Sequence, residues 1–549
     1  MPSIEAIALH LRTYRSALKS NLEVTVHSLT NSYLKMGTIL HPFAADPTRI
    51  DPSAVVYSLL RLPKSIDYVQ TIIMGQDPQT FTEAGFTDLL SWRRCPSRAR
   101  RRSHYFNRKT SQLAAFISSV TDVDDLVNLA IAYQTEWNKF HRLVTSAYPK
   151  YSDFKAALNN TPDELLKLTQ LSSADWDKVI TALGRRWRLR LQRIYKSPRD
   201  LRLRLLAGSW VDYAKSTQQW WTGLTQQHLK KYDFTKTKVY FVSSNSHSLR
   251  NLVTGFPLKY EKQLLQYAPK NYQVTNPYLS HQDFLYYLSR LFTKDSCYQQ
   301  DLTRHQKHLG IIAPKNNHFM DVNAQIIPIS SFTRSSLFDS RLKISKPKKI
   351  SQSQSLIFNI DYPLGFAAYH ILNKILENVN HLAGVYILGK AAVLNSEIGD
   401  IQIPRLVFDE HSQNSYIFKN IFNTFFPFNN RQGSILTNQK SVTVLGTFLE
   451  NESLLRKYSE NDLTVIEMES GPYLSAITEA SYDSQTPKST LVDLNSAPFE
   501  IGIINYTSDT PYSQAKNLGA GSLALSGVEP VYLGSLAILQ RIIELEEQN

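Results

Sequence analysis

Over the first 230 residues, apolar positions recur at three- and four-residue spacing. Leu126, Leu129, Ala130, Tyr133 and Trp137 form one such series, and Leu113, Ala114, Phe116 and Ile117 read the same way. That period lays an apolar stripe along a helix. Helix starts accompany it. Ser172-Ser173-Ala174-Asp175 precedes Trp176–Ile180, and Thr161-Pro162-Asp163-Glu164 places a proline at the first helical position. No period of 20–50 residues recurs, so a repeat array is not expected. The expectation is an all-α N-terminal domain over about 1–230.

Near Lys238 the pattern changes. Lys238–Val242 is β-branched and aromatic. It runs into the polar turn Ser243–Ser248 and then a helical pattern at Leu249–Val253. Strand, loop, helix is the unit from which parallel sheets are built. Ala324–Pro328 reads as a short strand, and 341–355 as an exposed basic loop inside the same domain. Further strands follow at 356–360, 384–389, 401–403, 406–408, 441–445, 463–466 and 502–506. Amphipathic helices fall at 366–378, 471–479 and 533–547. The second unit is therefore expected to be an α/β domain over about 231–549.

A chain of 549 residues exceeds one ordinary core, which agrees with two units. With 42% hydrophobic and 20% charged residues, the composition is that of a folded chain rather than a disordered one. No apolar run approaches the ~18 residues a membrane-crossing helix needs, and the first residues lack a signal-peptide pattern. Cys95 and Cys297 lie far apart in no metal-ligand spacing, which points to free thiols in a reducing, cytoplasmic setting. Charge divides the chain. Residues 351–549 carry 11 Lys+Arg against 21 Asp+Glu, leaving 50 against 26 in 1–350. The basic part suits an anionic partner, or the acidic part of the same chain.

Four ordered segments of the second unit carry a resemblance. Ile360-Asp361-Tyr362-Pro363-Leu364-Gly365-Phe366-Ala367-Ala368 is a glycine-containing turn leading into a paired-alanine helix. Ile387-Leu388-Gly389-Lys390-Ala391-Ala392 is followed by Gly399-Asp400-Ile401-Gln402-Ile403-Pro404. Then come Glu467-Met468-Glu469 and, late in the chain, Ser508-Asp509, each at the end of a predicted strand. In this order the segments resemble the nucleoside phosphorylase and nucleosidase superfamily. An extra N-terminal domain is similar to the arrangement of AMP nucleosidases. Ligands of open α/β sheets bind at that end of the strands.

The resemblance implies an enzyme that cleaves the N-glycosidic bond of a purine nucleoside or nucleotide, by hydrolysis or phosphorolysis. Asp509 would be the general acid that protonates the leaving base. Glu469 would hold the ribose hydroxyls, Met468 would pack on the sugar, and Glu467, Gly389 and Ser508 would complete the site. Phe448 would stack on the base or belong to the core. Asp509 would otherwise cap a turn, and Glu469 would otherwise favour a helix start. Lys390 stands where the superfamily has a small residue, and Asn505-Tyr506 where an Arg often precedes Ser-Asp. Lys390 faces either a substrate phosphate or solvent, and phosphate as co-substrate stays open. No other cofactor and no metal are expected, and the superfamily implies a homo-oligomer.

Two further stretches have competing explanations. Ser243, Ser244, Asn245 and His247 form an anion-holding loop or an ordinary polar turn. Arg93–Lys109, with eight basic residues, is a nucleic-acid or phosphate patch, or else a basic helix or inter-domain contact, the alternative favoured here. A non-catalytic nucleotide-sensing or nucleic-acid-binding protein is the competing function. Asp409-Glu410-His411 holds three potential metal ligands, but adjacent residues rarely converge on one ion.

Overall fold

Two sheets organise the computed structural model, which describes residues 3–160, 162–268, 279–290, 292, 295–314, 320–429, 433–482, 490–510 and 527–548. The first sheet lies where the periodicity predicts helices. Its strands are β1 (Val24–Thr25), β2 (Thr71–Gly75), β3 (Arg93–Arg94), β4 (His104–Asn107), β5 (Gln112–Phe116) and β6 (Arg202–Leu205). They pair in the order β1-β6-β2-β5-β4-β3. The N-terminal unit is therefore mixed α/β and not all-α. Leu113–Phe116, expected in a helix, lies in β5, parallel to β2 with Ile73 opposite Ala114. The physical reason is burial on both faces. All five residues of β2 are buried, and a short run buried throughout shows neither alternation nor helical period. The helical periodicity holds next door, where Leu126, Leu129, Ala130, Tyr133 and Trp137 are buried along the helix Val120–Ala147.

The second unit follows with β7 (Lys238–Ser244), β8 (Ala324–Pro328), β9 (Leu356–Asp361), β10 (His381–Val393), β11 (Ile401–Asp409), β12 (Ser415–Ile417), β13 (Ile435–Thr443), β14 (Val465–Glu467), β15 (Leu491–Asp493) and β16 (Glu500–Asp509). The order is β15-β12-β11-β13-β14-β10-β7-β9-β8, and β16 joins β10 to β11. β9, β7, β10 and β16 run parallel, so their C-terminal ends fall together. Register between β10 and β16 shifts at Ala391/Ala392, where Asp509 is reached. Beyond that point β10 pairs antiparallel with β14.

Alternate strand residues face two helical layers. Phe241, Phe358, Val385 and Ile503 pack with the helices Ala367–Leu376 and Ser470–Ser481. Tyr240, Ile357, Leu388 and Ile504 pack with Ser248–Thr254 and Val528–Gln548. The helix Trp210–His228, placed with the first unit by its sequence, sets Trp220, Trp221 and Leu224 into the core of the second sheet. The basic stretch 341–355 is largely exposed but tied down. It contains the short helix Pro347–Gln352 with Ile350 buried, and the Lys346 amide donates to Glu547 at 2.6 Å.

The units share a core. Tyr33, Tyr57 and Leu62 of the first belong to one apolar cluster with Val442, Val444, Phe448, Leu454 and Ile466 of the second. Backbone bonds follow the same seam, with the Ile39 amide donating to the Glu450 carbonyl at 2.9 Å and Thr38 bridging to Asn451. A second seam joins Arg101 to Asp361 at 2.8 Å. There the Phe366 amide also donates to the Thr121 hydroxyl at 3.0 Å.

Candidate active site

The C-terminal ends of β7, β9, β10, β14 and β16 open into one cavity of about 820 Å³. The first unit walls it with the loop Pro96–Arg102 and with Ile39 and Leu40. Of the residues expected at the site, Asp509, Ser508, Glu469, Met468, Glu467, Lys390, Asn245 and His247 line it.

Asp509 ends β16 and is 1% exposed, with the Thr510 amide donating to its Oδ1 at 2.9 Å. The Ser508 hydroxyl donates to the Ala391 carbonyl at 3.3 Å, which pins this end of β16 to β10. The two glutamates after β14 divide their work. Glu467 is buried and accepts from the Thr443 hydroxyl, from the Glu469 amide at 2.8 Å and from the Ser470 amide at 2.7 Å. It thus closes the start of the helix Ser470–Ser481, where a carboxylate meets unpaired N–H groups. Glu469 stands free of that task. Its Oε1 accepts a 3.3 Å bond from the Gly365 amide. Burial first, and the neighbouring Glu467 charge second, push its pKa up to about 8.

Lys390 extends from β10, is exposed, and lines the cavity. Desolvation, then Arg61 and Arg290, lower its pKa. Arg290 and His247 line the same space, and Arg290 Nη1 and His247 Nδ1 are buried with no hydrogen-bond partner among the described residues. Burial, then Arg290 and Arg250, hold the His247 imidazole well below its usual range, hence neutral. Among the described residues no carboxylate pairs with Lys390 or Arg290. The stretches outside the described residues hold a single acidic side chain, Asp483. Among the described residues, the cavity thus keeps positive charge at Lys390 and Arg290 that no carboxylate pairs.

Four expected residues do not reach the cavity. Gly389 is buried one position before Lys390, where a Cβ would meet Asn505 Oδ1 at 3.2 Å. Phe448 is 3% exposed and packs edge-on against Tyr57 at 5.2 Å, so it belongs to the shared core and not to a base-stacking face. The Ser243 hydroxyl accepts from Tyr473 at 2.8 Å, and that of Ser244 donates to Asn359 at 2.8 Å, so both are held within the sheet. Asn245 reaches the cavity, but its Oδ1 also accepts from the amides of His247 and Ser248 at 3.0 and 2.7 Å, forming an ordinary helix-start turn.

The basic run Arg93–Lys109 is not a helix. It forms β3, a loop and β4. Arg100 pairs with Asp125 at 2.5 Å, Arg102 with Asp122 and Asp125, and Arg101 with Asp361 of the second unit. It is a cavity wall and an inter-unit contact. Asp409 and His411 bond to each other at 2.9 Å, whereas Glu410 accepts from the Tyr458 hydroxyl at 2.5 Å and the Leu445 amide at 3.0 Å. Among the described residues no group of three potential metal ligands stands together, and no helix is long and apolar enough to cross a membrane.

Sequence reasoning missed Glu450, Arg290, Asp321, Tyr362 and Tyr506, all lining the cavity. Glu450 had no motif to mark it. Burial first, then the charges of Glu410 and Asp509, push its pKa up to about 8. Asp321, holding the Ser103 hydroxyl at 3.1 Å, is raised by burial to about 6. The site therefore combines buried carboxyl groups, two of them with pKa pushed up to about 8, with cations that no carboxylate among the described residues pairs.

A family model described as a family of unknown function (DUF6909) matches residues 26–544. The sequence matches no curated protein. Among solved structures, a 5'-methylthioadenosine/S-adenosylhomocysteine nucleosidase from S. pneumoniae is 10% identical, with 56% of this chain and 100% of that chain covered at a TM-score of 0.30. A purine nucleoside phosphorylase from Toxoplasma gondii is also 10% identical, covering 59% and 97% at 0.29. A uridine phosphorylase from Vibrio fischeri is 7% identical, covering 58% and 96% at 0.31. Scores this low leave the chemistry to be argued from the cavity.

Proposed function

The chain belongs to DUF6909, a family of unknown function, and we propose that its cavity cleaves the N-glycosidic bond of a purine nucleoside or nucleotide. One observation supports this above the others: Asp509, which ends β16, and Glu469, at the start of the helix that follows β14, line one cavity together with Lys390. Cleavage passes through an oxocarbenium-like sugar, and the base leaves readily only when protonated. Asp509 supplies that proton in this reading. Glu469 meets the ribose hydroxyls, and Met468 packs against the sugar. Lys390 and Arg290 supply the charge that a phosphate requires, whether it is part of a nucleotide or a co-substrate. The wall contributed by the first unit keeps water from the reacting bond. A cytoplasmic setting and a homo-oligomer accompany the proposal.

The test is release of free base from a panel of purine nucleosides and nucleotides, with and without phosphate. Dependence on phosphate separates phosphorolysis from hydrolysis. Asp509→Asn should lower kcat by about 10²- to 10⁴-fold, the span of a general acid's contribution. An Asp509→Asn protein as active as its parent removes the proposed acid. Ligand binding with no base released from any substrate would instead favour a nucleotide sensor.

A further inference from the structure

Asp509 and Asp321 stand at opposite ends of the cavity. The cavity follows the sheet edge across β16, β10, β7 and β9 to the segment that enters β8. Neighbouring strands lie about 4.8 Å apart, so four intervals separate these two ends by about 15–20 Å. Asp509 ends β16. Asp321 lies just before β8, where the Asp361 amide at the end of β9 donates to the Asn323 carbonyl at 2.9 Å. Lys390 on β10 and His247 after β7 fall between them. A base at Asp509, a ribose at Glu469 and a phosphate at Lys390 and Arg290 therefore leave the far end unfilled. The volume agrees, since about 820 Å³ is near the top of the ~300–1,000 Å³ range of small-molecule sites.

That far end is built by both units. The Ser103 hydroxyl of the first unit donates to Asp321 Oδ1 at 3.1 Å. Beside Ser103, Arg102 is 5% exposed, with its Nε bonded to Asp122 at 2.9 Å and its Nη2 to Asp125 at 3.0 Å. Asp122 is itself filled, Oδ1 by Arg102 and Oδ2 by the Ser118 amide at 2.8 Å and hydroxyl at 2.6 Å. One donor and one acceptor are left over. Arg102 Nη1 and Asp321 Oδ2 are buried with no hydrogen-bond partner among the described residues, and both side chains belong to the cavity lining. Buried polar atoms left unmet are costly, and a ligand that meets them removes that cost.

We propose that this end is a subsite for a group beyond the phosphate: the substrate is a purine nucleotide whose phosphates carry a second sugar, with a hydroxyl pair of that sugar held by Arg102 and Asp321. The inference rests on the N-glycosidic reading above and names its substrate class. A diol gives an acceptor oxygen to the guanidinium and a hydroxyl proton to the carboxylate. A nucleoside monophosphate ends at the cations and leaves both unmet. Lys390 and Arg290 suit the pyrophosphate that would join the two sugars. Arg102 is already fixed by two carboxylates and Asp321 by Ser103, so neither has to be ordered on binding. Through these two residues of the first unit, Arg102 and Ser103, that unit takes part in choosing the substrate as well as in walling the cavity.

Isothermal titration calorimetry of the full-length protein with AMP, ADP and ADP-ribose, and with GMP, GDP and GDP-mannose, tests this. The sugar-bearing diphosphate should bind at least about 10-fold more tightly than the plain diphosphate of the same base, the scale of one charge-assisted hydrogen bond. Asp321→Asn keeps the shape but replaces an acceptor oxygen by a donor, and should bring that ratio to within about twofold of one. Ser103→Ala removes the bond that fixes Asp321 and should shrink the ratio in the same direction, which serves if Asp321→Asn does not fold. Equal affinities for the diphosphate and its sugar ester, binding of neither series, or a ratio that survives Asp321→Asn overturns the subsite. Base release separates this from the reaction. Equal kcat/KM for AMP and ADP-ribose keeps the reaction and removes the subsite. A sugar-dependent affinity that Asp321→Asn abolishes, with no base released, keeps the subsite and removes the reaction.

Discussion

The seam at Gly365 offers the sharpest test of how the units are joined. Gly365 has φ +51°, the left-handed region, and a Cβ there would lie 2.6 Å from both Cγ2 and Oγ1 of Thr121 in the other unit. Gly365→Ala therefore carries two separable costs. The left-handed backbone costs an L-residue about 1–2 kcal/mol, and forcing a methyl against a packed side chain about 1–3 kcal/mol. The expected loss of stability is about 2–5 kcal/mol from the sum of these two. Thr121→Ala removes the opposing atoms but deprives the Phe366 amide of its acceptor at 3.0 Å, a loss of about 1–3 kcal/mol alone. In the Gly365→Ala background it should cost less, with a coupling of about 1–3 kcal/mol, because it also relieves the clash. Guanidinium unfolding of the parent, both single variants and the double variant measures the cycle. A Gly365→Ala protein within about 0.5 kcal/mol of its parent, or a Thr121→Ala cost equal in the two backgrounds, refutes the reasoning.

Other expectations follow from burial and charge. Arg102→Met leaves Asp122 and Asp125 buried without their shared partner and should destabilise by about 3–5 kcal/mol, measured by denaturant unfolding; a neutral result would show that those acids find water or another cation. Phe448→Ala opens a void beside Tyr57 and Tyr33 and should cost about 3–5 kcal/mol, while a change under about 1 kcal/mol would mean the ring is not core. Glu450 and Glu469 are both raised to about 8 from 4.5. The folded chain then holds protons that the unfolded chain releases between those values, so these groups make stability fall as pH rises through that window and level off above it. Glu450→Gln should gain on the parent from pH 5 to pH 9 in unfolding experiments, and a pH-independent difference would contradict the sign.

The second unit was legible because its strands are long apolar runs punctuated by turn chemistry. β7, β9, β10 and β16 fall where those runs predict them, and their common end follows from the parallel arrangement. The first sheet was not legible. β2 and β5 are five residues long and buried nearly throughout, so a helix segment and a buried strand look alike. Within the site, Asp509, Glu469 and Lys390 could be found because each belongs to a recognisable segment: Asp509 ends β16, Glu469 follows β14, and Lys390 lies near the C-terminal end of β10. Glu450 and Arg290 could not, because nothing local distinguishes a surface acid or arginine from one carried into a cavity by tertiary packing. Phe448 shows the converse, since an aromatic residue reads alike whether it meets a base or two tyrosines.

The apolar cluster that spans the two units also bears on how the chain is made. The first sheet is complete at Leu205, yet residues that finish its core, Val442 to Ile466, lie about 240 residues further on. At synthesis rates of about 5–20 residues per second, that apolar face waits on the order of 10–50 s for its cover. During that interval a nascent N-terminal unit presents Tyr33 and Tyr57 without Phe448, a surface suited to holdase chaperones. Expression of the first 230 residues alone would prolong the same exposure indefinitely, so aggregation of that fragment is the expected behaviour of an unfinished core.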